Sequence, residues 1–165
     1  MKYTSAEAAK LLRGLNEELS AVVNAETASR EFVAAISEDV ESVRPKYDFA
    51  QTQSELERLR KEVRKVKHAI NVFNTTTILP GFDMTIDEAL VYIPQLSMQK
   101  STLANMRNRL AKTREYSRMG GNIIEYRYAN YDVEAADAEF KRVSDLLAKA
   151  QTALDVVNNS VKFEI

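Results

Sequence analysis

The chain has no cysteine and no tryptophan, a single histidine, and only four glycines and three prolines in 165 residues. Without cysteine there can be no disulfide, thiolate metal site or cysteine nucleophile, and nothing points to an oxidising compartment. One histidine leaves any transition-metal site dependent almost entirely on carboxylates. His68 also has Lys65 three residues before it, so the Glu-x-x-His pair of di-iron bundles is missing. No cofactor or metal is expected. The glycine-rich phosphate loops GxxxxGK[ST] and GxGxxG and the nucleophile elbow GxSxG are also absent. No apolar run reaches the roughly 18–20 residues that span a bilayer, and the first residues, Met1 to Glu7, are polar and helix-initiating. A cytoplasmic, non-enzymatic protein with no membrane partner is the expectation.

Scarce glycine and proline favour long uninterrupted elements. Hydrophobic residues at 45 % and charged residues at 28 % are an ordinary globular balance, and this length can bury a sizeable core. Thr4-Ser5-Ala6-Glu7 reads as a capping box opening a helix over about 5–28, with Ala8, Leu12, Leu15, Leu19 and Val22 as its stripe. Gly14 lies inside and costs about 1 kcal/mol relative to alanine. Leu56, Leu59, Val63, Val66, Ile70 and Phe73 mark a second helix over 52–73. Thr85-Ile86-Asp87-Glu88 is another capping box. It starts a third helix over 86–117, with a seam running through Ala89, Tyr92, Leu96, Gln99, Leu103, Met106, Leu110 and Thr113 and with Pro94 removing one amide. Asp132 precedes a fourth helix over 133–158, whose seam is Ala136, Phe140, Val143, Leu147, Ala150, Leu154 and Val157.

Between the helices the patterns shorten. Residues 31–44 suit a β-hairpin better than a helical continuation through Ile36, and 123–128 read as a strand with Ile124, Tyr126 and Tyr128 on one face. Residues 161–165 alternate like a terminal strand able to pair with either segment. Asn71 to Thr77, rich in asparagine and threonine, reads as helix capping and turn. The fold class that results is mainly α: one domain of long antiparallel coiled-coil-like helices, a four-helix bundle with a small β element, or two helical hairpins completed by another subunit. Leu11, Val23, Leu90, Ile93, Leu146, Ala153 and Val156 fall outside the strict seams. These wider apolar faces need more than one neighbour and point to a homo-oligomer.

Formal net charge is -1, but the signs are segregated. Residues 51–73 and 86–118 each carry six basic against three acidic side chains, whereas 1–50 carry nine acidic against six basic and 130–165 seven against four. Oppositely charged neighbouring helices account for this best. A basic face for nucleic acid, built from Arg58 to Lys67 and Arg107, Arg109, Lys112, Arg114 and Arg118, is the less favoured reading. The best candidate binding surface surrounds the one Gly-Gly pair: Arg114, Tyr116, Arg118, Gly120, Gly121, Tyr126, Arg127 and Tyr128. Exposed amides, guanidinium groups and aromatic faces in that order could hold an anion or stack a base. The favoured reading of the same residues is a helix stop followed by an edge strand whose tyrosines cover the bundle. His68 falls at the outward position of its helix, beside Lys67, as a surface histidine.

The segments Lys67-His68-Ala69-Ile70-Asn71, Pro80-Gly81-Phe82-Asp83-Met84-Thr85-Ile86-Asp87 and Tyr131-Asp132-Val133-Glu134-Ala135 carry a family resemblance. Over nearly its whole length the chain resembles the small, uncharacterised bacterial helical proteins labelled septicolysin-like. The resemblance extends to a last helix ending in Leu154-Asp155-Val156-Val157-Asn158-Asn159 before a short strand. It implies the helical fold and, through its label, a cytolysin. It supplies no catalytic or binding residues.

Overall fold

Each long helix begins where a side chain can satisfy the free amides of a first turn. In the computed structural model, which describes residues 1–115 and 124–165, strand β1 (Lys2–Thr4) leads directly into helix α1 (Ser5–Ser29). There the Thr4 hydroxyl accepts from the Glu7 amide at 3.2 Å, and the Glu7 carboxylate accepts from the Thr4 amide at 2.8 Å. Helix α3 (Phe49–Thr76) follows the four-residue α2 (Val40–Val43). Thr85 and Glu88 repeat the reciprocal cap at the start of α4 (Ile86–Arg107). Strands β2 (Lys112–Glu115) and β3 (Glu125–Tyr128), helix α5 (Val133–Ser160) and strand β4 (Lys162–Glu164) complete the order. The protein is mainly helical with small two-stranded sheets.

Two compact units divide the chain. The first holds Met1–Asn74 and Asn158–Ile165. In it α1 and α3 run antiparallel: Glu26 accepts from Gln53 at 2.6 Å, while Glu18 meets Arg58 at 3.1 Å. Leu15, Leu59, Val63 and Val66 form the buried centre, flanked by Leu12, Leu19 and Ile70. The β1–β4 pair closes this unit in the register Tyr3 to Phe163, and the Phe163 ring stacks on Phe73 with centroids 4.4 Å apart.

The second unit is Thr75–Val157. Leu96 and Leu103 of α4 pack with Val143 and Leu147 of α5, joined by Tyr92, Met106 and Phe140. Here too the helices are antiparallel, since Arg107 reaches Asp137 at 3.2 Å while Lys100 lies 5.8 Å from the Phe140 ring centre. The α3–α4 connection is a built turn. Pro80 and Gly81 occupy its centre, Gly81 takes φ +81°, and the Phe82 amide donates to the Leu79 carbonyl at 3.0 Å. That is the geometry in which glycine is favoured at the third position. Leu79 is fully buried beside it.

Three sequence expectations need correction. Residues 31–44 form no hairpin. Val33 is 94 % and Ile36 108 % exposed, so their alternation meets no surface to pack on. Glu38 takes the Ala35 amide at 2.8 Å, and Asp39 caps α2 by accepting from Glu41 at 3.2 Å. Local side-chain bonds have replaced a strand ladder there. The terminal strand pairs with β1, which the sequence did not announce, and not with residues 31–44 or 123–128. The third helix stops at Arg107 instead of reaching 117, and Lys112–Glu115 become a strand. The Leu110 and Thr113 that continued the apparent seam are exposed. Long-range pairing with a tyrosine-rich strand overrides a marginal local helix preference.

Candidate functional site

The β2–β3 ladder joins Lys112 to Tyr128, Thr113 to Arg127, Arg114 to Tyr126 and Glu115 to Glu125. Side chains alternate along each strand, and directly paired residues share a face. One face therefore carries Lys112, Arg114, Tyr126 and Tyr128; the other carries Thr113, Glu115, Glu125 and Arg127. Every carboxylate of the two strands lies on the second face. The pairing thus sorts a mixed sequence into a cationic, aromatic surface and a net acidic one.

On the acidic face Arg127 Nε and Nη2 both donate to the Glu115 carboxylate at 2.8 Å. The guanidinium bond holds the Glu115 carboxyl below its ordinary range and raises Arg127 in turn. Being exposed, this pair contributes little to stability. It fixes one side of a concavity of about 610 Å³ that Arg109, Leu110 and Tyr131 also line. Tyr131 holds that rim in place: its hydroxyl donates to the Met106 carbonyl at 3.0 Å, a last-turn acceptor of α4 that also takes the Arg109 amide at 3.1 Å.

On the cationic face Tyr126 is 45 % and Tyr128 62 % exposed, with ring centroids 6.5 Å apart. Lys112 Nζ lies 4.0 Å from the first ring centre and 5.4 Å from the second. The tyrosines therefore do not cover a core as edge-strand residues would; they stand out from the hairpin. Of the eight residues read as a candidate surface from sequence, the structure brings Arg114, Tyr126 and Tyr128 onto one face and places Arg127 on the other. Tyr116, Arg118, Gly120 and Gly121 lie outside the described residues. Lys112 belongs with the tyrosines, but this was hidden while residues 112–115 were read as helix.

Two members of the broader basic face, Arg58 and Arg107, are held in ion pairs. Arg58 is clasped by Glu55 at 2.7 Å, Glu62 at 2.8 Å and Glu18 at 3.1 Å, which raises its pKa further. Arg107 is bound to Asp137 and stacked 4.2 Å over Phe140. The Arg58–Glu18 and Arg107–Asp137 pairs link oppositely charged helices, as the charge segregation anticipates. Arg60, Lys61, Arg64, Lys65, Lys67 and His68 are exposed on α3. Among the described residues, no group of three or more His, Asp or Glu side chains gathers to hold a metal ion.

A second surface lies on α4. Between Glu88 and Arg107 the only charged residue is Lys100, and Lys100 turns toward Phe140. The side away from the Leu96–Leu103 seam presents Leu90, Val91, Pro94, Met98, Ser101, Thr102 and Asn105, all exposed and all uncharged. Val91 is 60 % and Met98 74 % accessible. Pro94 has no amide proton, so the Leu90 carbonyl on this side lacks its donor within the helix. An exposed helix face that carries no charge over several turns is unusual for a surface element. The readable signal was the charge gap from Ala89 to Gln99, which periodicity alone passes over.

No family model matches the chain, and no curated protein matches it. Among solved structures it is similar to the crystal structure of a functionally unknown conserved protein from Corynebacterium diphtheriae. The TM-score is 0.58 with 15 % sequence identity, covering 99 % of this chain and 100 % of that one. At that identity the likeness shows a shared fold alone. Among the described residues no helix is long and apolar enough to cross a membrane.

Proposed function

We propose that this is a non-enzymatic, cytoplasmic helical protein that assembles with copies of itself and serves as a scaffold or interaction module, with the outer face of α4 as its contact surface. The uncharged, exposed face formed by Leu90, Val91, Pro94, Met98, Ser101, Thr102 and Asn105 carries the reading. An apolar face without charge meets an identical face with no like-charge repulsion, which suits the self-complementary contact of a two-fold dimer.

The test is sedimentation velocity on the wild type and on a Val91→Lys, Met98→Lys double variant. Both sites are exposed, so the variant keeps its fold, and the expected result is a wild-type oligomer and a monomeric variant with the same helical circular dichroism. A variant that still assembles would remove α4 from the interface. The cytolysin implied by the septicolysin-like resemblance would turn the same face toward lipid. Dye release from lipid vesicles by the wild type, lost in the double variant, would replace self-assembly with that activity.

A further inference from the structure

We infer that the face of the β2–β3 hairpin carrying Lys112, Arg114, Tyr126 and Tyr128 binds single-stranded nucleic acid, independently of any contact made by α4. Two exposed rings stand side by side on one face of the two-stranded sheet, and two of its three cations, Lys112 and Arg114, share that face. Aromatic faces stack on any base, and lysine and arginine beside them neutralise the connecting phosphates. The carboxylates that would repel a phosphate chain, Glu115 and Glu125, point to the opposite face by strand alternation, and Glu115 is held there by Arg127.

The spacing selects a single strand. Bases in a duplex strand are stacked about 3.4 Å apart, while the two ring centroids are 6.5 Å apart with planes inclined by 52°. Rings so placed take unstacked successive bases, one on each, which a base-paired duplex does not offer. Lys112 now lies over both rings. On binding, its ammonium moves from the ring face to a phosphate, and the base takes the vacated position. A solvated lysine–ring contact is a weak interaction, so this exchange favours the stacked base. An anionic bilayer would use the two cations but has no flat aromatic partner for the tyrosines.

Fluorescence anisotropy with a labelled oligothymidylate, the same strand annealed to its complement, and anionic phosphatidylserine vesicles as competitor tests this on the full chain. The single strand is expected to bind at micromolar protein, at least tenfold tighter than the duplex, with affinity falling as salt rises. Tyr126→Ala with Tyr128→Ala should weaken binding tenfold or more, and the Phe replacements at both positions should restore it. Arg127→Gln, on the other face, should leave it within twofold. Equal affinity for duplex and single strand, binding indifferent to the tyrosine pair, no binding at micromolar protein, or binding to vesicles alone would each overturn the inference. Because the oligomer is read by sedimentation and this site by anisotropy, either can fail without the other.

Discussion

Among the described residues Thr4 is the one polar residue with a buried side chain, at 6 % exposure, because it serves two ends at once: the strand β1 and the first turn of α1. Replacing it with alanine removes the acceptor for the Glu7 amide and should cost about 1 kcal/mol in urea denaturation. The partner carboxylates add a pH dependence. Glu7 and Glu88 both lie below the ordinary value of 4.5, chiefly because the backbone amides of Thr4 and Thr85 donate to them. A carboxyl whose folded pKa is depressed binds protons more readily when unfolded. Its contribution is therefore complete above the ordinary value and disappears as pH falls through the folded one. Urea midpoints followed from neutral pH to below 4.5 should fall less steeply for Glu7→Gln than for the wild type; parallel curves would contradict the cap's role. Both capping boxes were legible in the sequence, since Thr-x-x-Glu before an apolar run specifies its own bonds within four residues. Tyr131 was not, because its partner, the Met106 carbonyl, is 25 residues away. Tyr131→Phe should cost about 1 kcal/mol, read as earlier hydrogen exchange in the last turn of α4.

At the scale of elements, α1, α3 and α5 lie where the sequence placed helices, whereas α4 starts where expected and stops at Arg107. Leu56, Leu59, Val63 and Val66 on α3, and Ala136, Val143, Leu147, Ala150 and Val157 on α5, are all buried. Each stripe is written in consecutive turns and needs only one neighbour to bury it. The strands were harder, since a strand of three or four residues carries too few positions for a period and its identity depends on what lies opposite. Lys2–Thr4 gains its partner from residues 162–164 at the far end of the chain, and Lys112–Glu115 gains its own from Glu125–Tyr128. The candidate site suffered from the same ambiguity: its tyrosines and Arg114 were recognisable, but the face that groups them with Lys112 and excludes Arg127 exists only in the paired register. Substitutions along the seams should divide accordingly. Leu147→Asp places a charge at a site only 7 % exposed and should abolish cooperative unfolding of the second unit. Leu154→Asp, at a half-buried position, should lower the melting temperature and leave a folded protein. Leu59→Ala, fully buried in the first unit, should cost about 2–5 kcal/mol through the cavity it leaves. Equal effects of the two aspartate variants in thermal circular dichroism would contradict the assigned burial.

At the scale of the whole molecule, the four long helices use their outer faces differently. The solvent side of α3 is dense with charge, including Arg60, Arg64 and Lys67, and is finished as a surface. The corresponding side of α4 has no charge over several turns and keeps Val91 and Met98 in contact with water. The apolar residues outside the strict seams divide into two groups. Leu11, Ile93, Leu146 and Ala153 are half-covered, whereas Val23, Leu90 and Val156 remain exposed within one chain. An exposed apolar surface of this kind on a chain with a net charge of only -1 has little electrostatic repulsion to oppose association. The central claim is that a second copy covers it. Light scattering coupled to size exclusion, run on the wild type over a dilution series, measures this directly. A mass that is a whole multiple of 18.7 kDa at micromolar concentration is the result the account predicts; 18.7 kDa at every concentration would contradict it.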